Sequence, residues 1–422
     1  MRRLSDDCDL SGVVRPGDRL VVGHACGEPL TLTEALVAQR AVLGPLSLFM
    51  ASSFSQTFQI EHADHIRFSS MGAIGGLGRL ARAGVLDIVP CHIGQVGRFL
   101  RDGTIGCDVA LVQISPAGPD GTHSPGLIAD HILAAVESAR TVVAEISDRI
   151  PWVPCDRPIR SDQIDWFVQT SRSAVVIAAS EPSDVDRAIA RHAGAFIGDG
   201  ATLQMGIGAV PDAITRLLVD RRDLGIHSGM IGDGVVDLME AGVVNNVRKP
   251  IEPGVTITGA LIGGERLYRF ADRNGAIGLR DARVTHGEEI LAGLPNLVSI
   301  NSAIEIDLTG QVNAEQTGDA YLGATGGQVD FVRAAARAAT GRSIIALPAS
   351  ARAGAVSRIV RTLSGPVTTA RSEVDVVVTQ NGAAELKGRS IRDRVAAMIA
   401  IADPAFREAL DRDAHDLLKR GY

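Results

Sequence analysis

The sequence predicts an α/β protein made of two similar open domains, each built on a mostly parallel sheet. A chain of 422 residues is too long for one ordinary core. Runs rich in Val and Ile alternate with helical patterns, as the buried strands of parallel sheets do. Residues 18–39 and residues 194–218 also share one order of elements, an apolar strand, a glycine turn and a helix led by proline. This weak internal repeat indicates two related halves.

The first half is expected to end close to residue 182. Residues 108–114, 141–146 and 174–179 are apolar runs that predict buried strands. A polar turn follows at residues 181–186, where Ser183 and Asp184 are candidate N-caps of the next helix. We therefore place one domain at residues 1–182 and the other at residues 183–422.

The second half opens with the sequence GDGATLQMGIGAVPDAITRL at residues 198–217. Residues 195–197 are interpreted as the apolar end of a strand, and Pro211 as part of the first turn of a helix. Further strands are expected at residues 255–262, 297–306, 342–347 and 374–379, and helices at residues 330–339, 391–400 and 404–419. Glycine loops between strand and helix aim backbone N–H groups at an anion or a polarised carbonyl.

Composition excludes several classes of function. The net charge of −7 gives no reason to expect nucleic-acid binding. Five cysteines at irregular spacing suit reduced thiols, and no window approaches the roughly 20 apolar residues of a membrane helix. The N-terminus does not have the pattern of a signal peptide, because acidic residues precede any apolar run. We expect a cytoplasmic protein without membrane or nucleic-acid partners.

Several motifs along the chain resemble the acetyl-CoA hydrolase/transferase family of class I CoA-transferases, which includes 4-hydroxybutyrate CoA-transferases. They are the stretch at residues 198–217, LGIHSGMIGDGVVDL (224–238), SINSAIEIDLTGQVNAE (299–315), GGQVDF (326–331), SRIV (357–360), VVVTQNGAAELKG (376–388), IADPAFREAL (401–410) and DVALVQISPAGPDG (108–121). The resemblance covers nearly the whole chain. It implies the class I CoA-transferase fold, a coenzyme A thioester as substrate without a tightly bound cofactor, and a homodimer or larger homo-oligomer.

Two departures from the family concern its chemistry. The family motif LGIHSEM supplies a glutamate that attacks the acyl-CoA carbonyl, and this chain has Gly229 at that position. The later family motif VTEYG reads Val378, Thr379, Gln380, Asn381 and Gly382 here. Because glycine has no side chain that could act as a nucleophile, the glutamyl mechanism of the family does not carry over to this chain.

Histidine and cysteine side chains are the candidates for a replacement. His227 and Ser228 precede Gly229, and a histidine is a natural general base near neutral pH. Cys26, in a loop before a helix, is a candidate nucleophile, with His24 as a base two residues away. The alternatives stay open: Cys26 as a small buried hydrophobe, and His227 as a structural residue at a strand end.

The remaining site candidates follow from the resemblance. Asn301 and Gln380 stand at positions that the family places near the acyl-CoA, where each can donate to a developing oxyanion or simply cap a strand. The glycines expected to bind substrate or CoA are Gly27, Gly206, Gly208, Gly229, Gly326, Gly327 and Gly382. No metal site is expected, since the EHADH cluster at residues 61–65 lacks the spacing of known metal motifs.

Three functions fit these observations. The first is an acyl-CoA or acyl-carrier thioester enzyme that hydrolyses the thioester, or transfers the acyl group directly, without a glutamyl anhydride. The second is a CoA-transferase between carboxylic acids with a relocated nucleophile such as Cys26. The third is a non-catalytic acyl-CoA-binding protein, although the retained His, Ser, Asn and Gln side chains favour altered chemistry.

Overall fold

The computed structural model describes residues 1–178 and 180–419. In the first half of the chain the strands are β1 (Arg2–Arg3), β2 (Arg19–Val22), β3 (Leu46–Phe49), β4 (Ile66–Ser70), β5 (Leu86–Ile88), β6 (Val109–Ile114), β7 (Thr122–His123), β8 (Thr141–Ser147), β9 (Ile159–Arg160) and β10 (Trp166–Thr170). The helices are α1 (Leu30–Leu43), α2 (Leu77–Arg82), α3 (Ile93–Arg101) and α4 (Ile132–Ser138). Short 3-10 helices lie at Ile60–Asp64 and Ser161–Gln163.

The first large sheet has the strand order β1-β10-β8-β6-β2-β3-β4-β5, with every pair parallel. β6 reads VALVQI and is buried along its whole length. Such a continuous apolar run is typical of a parallel strand that has helices on both faces. The strand predicted at residues 108–114 is therefore confirmed in both type and position.

The second half repeats the architecture. Its strands are β11 (Thr202–Met205), β12 (Gly225–Ser228), β13 (Thr256–Thr258), β14 (Ile277–Leu279), β15 (Leu297–Asn301), β16 (Glu305–Asp307), β17 (Val312–Asn313), β18 (Gln316–Thr317), β19 (Ala320–Tyr321), β20 (Arg342–Ala346), β21 (Ser350–Ala351), β22 (Val356–Ser357), β23 (Ile359–Val360), β24 (Val376–Thr379) and β25 (Gly382–Glu385). Its helices are α5 (Asp184–Gly194), α6 (Ala209–Leu217), α7 (Asp233–Glu240), α8 (Glu265–Ala271), α9 (Ala282–Thr285), α10 (Glu288–Ala292), α11 (Gln328–Arg337), α12 (Ile391–Ile401) and α13 (Pro404–Leu418), with a 3-10 turn at Leu218–Asp220.

The second large sheet has the order β14-β13-β12-β11-β15-β20-β24-β25. All of its pairs are parallel except β24 with β25, which forms an antiparallel hairpin. The predicted α/β class with mostly parallel sheets is confirmed. The expected boundary between residues 182 and 183 falls between the two sheets and stays a prediction of domain limits.

Some predicted elements differ from those observed. Residues 195–197 do not end a strand but follow α5, and the strand begins only at Thr202 because the glycine turn at residues 198–200 precedes it. Residues 174–178 form no strand; they run over α8, where Ile177 N donates to Gly263 O at 2.9 Å, and residue 179 lies outside the described chain. The apolar run at residues 297–306 divides into β15 and β16, which belong to different sheets.

The two halves are held together by a shared apolar core and by backbone hydrogen bonds. One buried cluster contains residues of both large sheets, including Val112 of β6 and Leu203 of β11. Ile128 and Ala260 form an antiparallel bridge between the halves, and Leu261 N donates to Leu127 O at 2.8 Å. Among the described residues, no helix combines the length and the apolar character required to cross a bilayer.

Candidate functional site

The carboxyl ends of the second sheet bring the predicted residues together. β12, β11 and β15 are neighbours, and Gly229 follows β12, Gly206 follows β11 and Asn301 ends β15. In open α/β sheets, ligands bind in the crevice outside the carboxyl ends of parallel strands. This edge of the sheet is therefore the candidate site.

A histidine that the sequence did not single out lies against Gly229. A Cβ atom added at residue 229 would be 2.6 Å from Cε1 and 2.7 Å from Nε2 of His286. The same ring lies against Gly327, where an added Cβ would also clash with Nε2. The imidazole of His286 thus lies between two glycines, and any side chain at either position would have to displace it.

The surroundings of His286 keep its imidazole neutral. The residue is 7% exposed, and its Nδ1 lies 2.8 Å from the hydroxyl of Thr285. Its ring packs edge to face on Phe331, with centroids 4.8 Å apart. Burial lowers the pKa of His286 to about 3, although the charge of Asp130 opposes this shift. A neutral imidazole has one N–H donor and one acceptor nitrogen.

The glycine pair of the GGQVDF motif joins the two halves of the molecule at this site. Gly326 has a φ of +57°, a conformation that glycine adopts without strain. Ile93 N donates to Gly326 O at 3.0 Å, and Ala73 N donates to Gly323 O at 2.9 Å. The loop that carries both glycines is therefore fixed against the first domain.

Asp330, three residues after Gly327, provides a carboxyl group beside His286. If Gly94 carried a Cβ atom, that atom would be 3.2 Å from both Asp330 Oδ2 and His286 Cβ. The Oδ2 atom is buried, and the backbone N–H of Gly94 lies near the carboxyl group. Burial raises the pKa of Asp330 to about 7, against the opposing charge of Arg333. Such a carboxyl group exchanges a proton near neutral pH.

His227 and Ser228 are buried inside the sheet. His227 is fully inaccessible, and its Nε2 lies 3.1 Å from the carbonyl oxygen of Val284. Burial, together with the charge of Lys249, lowers the pKa of His227 to about 4. The hydroxyl of Ser228 donates to Met205 O at 3.1 Å on the neighbouring strand. Both side chains contact the protein's own backbone, and their predicted catalytic roles stay predictions.

The two predicted amide residues are also held by protein groups. Asn301 Nδ2 donates to Gln204 Oε1 at 3.0 Å, so the two amides pair across β15 and β11. Gln380 follows β24, two strands from β15, and its Oε1 accepts from Ala349 N at 2.8 Å. Gly382 begins β25 with a φ of +143°. Asn301 lies at the strand ends that define the site, whereas Gln380 and Gly382 lie farther along the sheet.

Cys26 lies in the core that joins the two halves. It is fully buried, and burial raises the pKa of its thiol to about 11, although contacts with Tyr268 and Gly263 oppose that shift. The neighbouring Gly27 is required by packing, since an added Cβ would be 2.6 Å from Cγ1 of Ile128. A thiol in this environment is protonated at neutral pH, which does not favour its proposed role as nucleophile.

The glycine loop after β11 leaves open space. Gly208 has a φ of +112° and precedes α6, while neither Gly206 nor Gly208 has an atom within 4 Å of the position of an added Cβ. Backbone N–H groups at such a helix start favour anions and polarised oxygens. These two glycines fit the predicted substrate-binding role, which stays a prediction.

A second group of side chains meets beside this site. His24, Asp130 and His131 are buried, and their ligand-type atoms all lie within 4.8 Å of one another. His24 was named only as a base for Cys26, and its pairing with Asp130 was not predictable because the two residues are more than a hundred positions apart. His286 was missed for a similar reason, whereas Asp330 is part of the quoted GGQVDF motif.

Comparison with known families and proteins gives a consistent result. The acetyl-CoA hydrolase/transferase N-terminal domain matches residues 1–180, and the acetyl-CoA hydrolase/transferase C-terminal domain matches residues 263–414. A 4-hydroxybutyrate coenzyme A transferase of Clostridium kluyveri is 38% identical over 93% of this chain and 92% of its own length. An acetyl-CoA hydrolase of Kluyveromyces lactis is 24% identical over 76% of this chain and 69% of its own length.

Solved structures agree along the whole chain. RipA from Yersinia pestis superposes with a TM-score of 0.92 at 31% identity, over 99% of this chain and 97% of that one. A 4-hydroxybutyrate CoA-transferase from Porphyromonas gingivalis superposes with a TM-score of 0.83 at 31% identity, over 100% and 98% of the two chains. The class I CoA-transferase fold that the sequence motifs imply is therefore confirmed.

Proposed function

The chain belongs to the acetyl-CoA hydrolase/transferase family, and we propose that it cleaves an acyl-CoA thioester directly, without a glutamyl intermediate. The acceptor of the acyl group is water or a second substrate. Named relatives support both acceptors, since one is named a CoA transferase and another an acetyl-CoA hydrolase.

One observation carries the proposal. The space at Gly229, the position that the resemblance assigns to the family's glutamate, is taken by the ring of His286. A glutamate cannot be built there unless His286 moves, so the substitution to glycine and the position of the imidazole are linked. This packing supports a site in which an imidazole replaces the carboxylate.

The properties of the imidazole indicate its role. A histidine with a pKa near 3 is a weak base but a good neutral hydrogen-bond donor. If the hydroxyl of Thr285 donates to Nδ1, then Nε2 carries the proton and faces the space between Gly229 and Gly327. We infer that this N–H stabilises the oxyanion that forms as the thioester carbonyl is attacked. The backbone N–H groups of the loop at Gly326 supply further donors.

Asp330 then serves as the general base. Its carboxylate accepts a proton from the attacking water while the new C–O bond forms and the carbonyl oxygen becomes an oxyanion. When the oxyanion collapses, the C–S bond breaks, and the proton on Asp330 passes to the departing thiolate of coenzyme A. The products are a carboxylic acid and free coenzyme A, and neither residue is acylated.

The finer predictions from the sequence complete the proposal. We propose that Asn301, at the end of β15, contacts the acyl group. His227, Ser228 and Cys26 pack within the protein near the site, and Gln380 bonds to Ala349 N farther along the sheet. The carrier is coenzyme A or an acyl-carrier protein. The cytoplasmic location and the homodimer remain predictions, which fractionation and light scattering test.

The direct test is thiol release from a panel of acyl-CoA thioesters. With a thiol-reactive dye, the proposal predicts turnover in which intact-mass spectrometry of the acid-quenched enzyme shows neither an acyl nor a CoA adduct. Repeating the assay with acetate separates hydrolysis from acyl transfer, since only transfer depends on the acceptor. A covalent adduct formed at a rate that matches turnover would contradict the proposal, as would binding of every thioester without turnover.

A further inference from the structure

The second histidine group, formed by His24, Asp130 and His131, has the composition of a metal centre. Two imidazoles and one carboxylate lie within 4.8 Å of one another, and the exposed fractions of the side chains of His24, Asp130 and His131 are 7%, 6% and 0%. We propose that this group binds a divalent transition-metal cation of the Zn²⁺ type. The inference concerns metal binding alone and does not rest on the proposed thioester chemistry.

The fold brings the three side chains to one point. His24 follows β2, and Asp130 and His131 directly precede α4, which comes after the neighbouring strand β6. His24 Nε2 lies 2.9 Å from Asp130 Oδ2, and His131 Nδ1 lies 3.1 Å from Asp130 Oδ1. The two imidazole rings are stacked, with centroids 4.8 Å apart and planes inclined by 20°. The carboxylate therefore lies between two nitrogens, one on each of its oxygens.

His131 gives the second, independent observation. Both of its ring nitrogens are completely buried, and Nε2 has no hydrogen-bond partner among the described residues. Its Nδ1 lies 3.1 Å from Asp130 Oδ1 and contacts that carboxylate. Buried polar atoms without a partner are rare and costly in folded proteins. A buried imidazole with an unpartnered nitrogen beside a carboxylate is available as a metal ligand.

His24 shows the outer contact that metal-bound histidines have. Its second nitrogen, Nδ1, lies 3.1 Å from the hydroxyl of Ser52. A partner on the far nitrogen fixes the ring and its tautomer, so that the near nitrogen is directed at the metal. In this way Ser52 holds Nε2 of His24 towards the carboxylate of Asp130.

The ligand set selects the kind of cation. Imidazole nitrogen suits Zn²⁺, Co²⁺, Ni²⁺ and Cu²⁺, whereas Mg²⁺ and Ca²⁺ prefer all-oxygen sites. Three protein ligands leave a coordination position open, as in catalytic zinc sites. Backbone bonds connect the group to the candidate site, since Asp130 N donates to Gly259 O at 3.3 Å and Gly259 N donates to Gly229 O at 3.2 Å.

Metal titration of the full-length chain tests the inference. After treatment with a chelator and dialysis, wild-type protein is titrated calorimetrically with Zn²⁺, and with Co²⁺ for its visible spectrum. We expect one equivalent per chain and Co²⁺ bands of four- or five-coordinate intensity. Asp130→Asn, which keeps the shape of the side chain, should weaken binding by more than about 100-fold, and Ser52→Ala by about 10- to 100-fold.

Matched controls make each outcome decisive. His65→Ala changes the EHADH cluster, whose residues also have ligand-type side chains, and should leave the affinity unchanged. His131→Gln removes the second imidazole, and circular dichroism shows whether each variant is folded. Failure of the wild-type chain to bind Zn²⁺, Co²⁺ or Ni²⁺ at micromolar concentration overturns the inference. Binding that persists in folded Asp130→Asn also overturns it, because the metal then lies elsewhere.

Discussion

His227 and His286 are both buried histidines near Gly229, and they differ in what their rings face. His227 belongs to strand β12, and its Nε2 lies 3.1 Å from the carbonyl of Val284. His286 follows a short helix, and its Nε2 faces the two glycines at positions 229 and 327. One imidazole contacts the protein backbone, and the other borders two glycines that have no side chain to fill the space.

The difference shows that closeness in sequence is a weak guide to a catalytic site. His227 is two residues from Gly229, yet alternation along a strand and burial in the sheet direct it to the contact with Val284. His286 is 57 positions away from Gly229 in the chain, and the sheet order brings it there.

The largest effect is expected for Asp330→Asn. If Asp330 is the general base, the variant should lose about 10²- to 10⁴-fold in turnover while acyl-CoA binding is retained. The base is active as a carboxylate, so the wild-type rate should rise as the pH increases through about 7, the pKa that burial gives this group. The variant should lack this rise.

Steady-state rates from pH 5 to pH 9 test that prediction, with the exposed carboxyl of Asp319 changed to Asn as the control. If Asp330→Asn retains most of the activity and the same pH profile, Asp330 is not the base.

Gly229→Glu tests the packing against His286. The added side chain overlaps the imidazole, and overpacking of this kind typically destabilises a protein by about 1–3 kcal/mol. The double change Gly229→Glu with His286→Ala provides room and should recover much of that loss. Urea unfolding measures both free energies, and intact-mass spectrometry shows whether only the double variant forms an adduct with coenzyme A.

A single Gly229→Glu variant as stable as the wild type would mean that His286 moves away at little cost. Residue 229 would then have room for a side chain, which contradicts the packing described above.

His227→Ala should affect stability more than chemistry. The change removes a fully buried ring and its contact with Val284, which should lower the free energy of unfolding by about 1–3 kcal/mol. Turnover per folded molecule should stay close to that of the wild type. The pH dependence of the rate between about 6 and 7 should also be unchanged, because burial holds the pKa of His227 near 4. Urea unfolding and rates normalised to folded protein provide both numbers.

The smallest effect is expected for Cys26→Ser. A hydroxyl placed among apolar core residues should destabilise the protein by about 1 kcal/mol, and turnover should change little. Abolished turnover in a folded variant, with an acyl group on the wild-type peptide, would instead make Cys26 the nucleophile.

The fold was largely predictable from the sequence because its strongest signals are local. β6 is apolar except for Gln113, β20 is apolar over residues 344–346, and α6 is preceded by Gly208 and has Pro211 in its first turn. The strand predictions were wrong where a local sequence pattern is compatible with two different structures. The run at residues 297–306 has the composition of one strand, but tertiary pairing assigns its two ends to different sheets.

The site was only partly predictable, because its chemistry depends on contacts between distant segments. Gly229 and the glycine pair at residues 326 and 327 follow from the resemblance to the family. His286 and Asp130 have no motif of their own. The strand order of the second sheet brings His286 to those glycines, and the packing of the two halves brings Asp130 close to Gly229. Burial, which changes the pKa values of His227 and Cys26, is also invisible in a single sequence.

The most direct test of the account compares His286→Ala with His227→Ala in thiol release per folded molecule. We predict that His286→Ala loses about 10²- to 10³-fold in turnover, the usual effect of losing one oxyanion donor, while acyl-CoA affinity is little changed. His286→Gln, whose amide N–H also donates, should recover part of the rate, and His227→Ala should remain close to the wild type. Full activity in His286→Ala together with a large loss in folded His227→Ala would contradict the account.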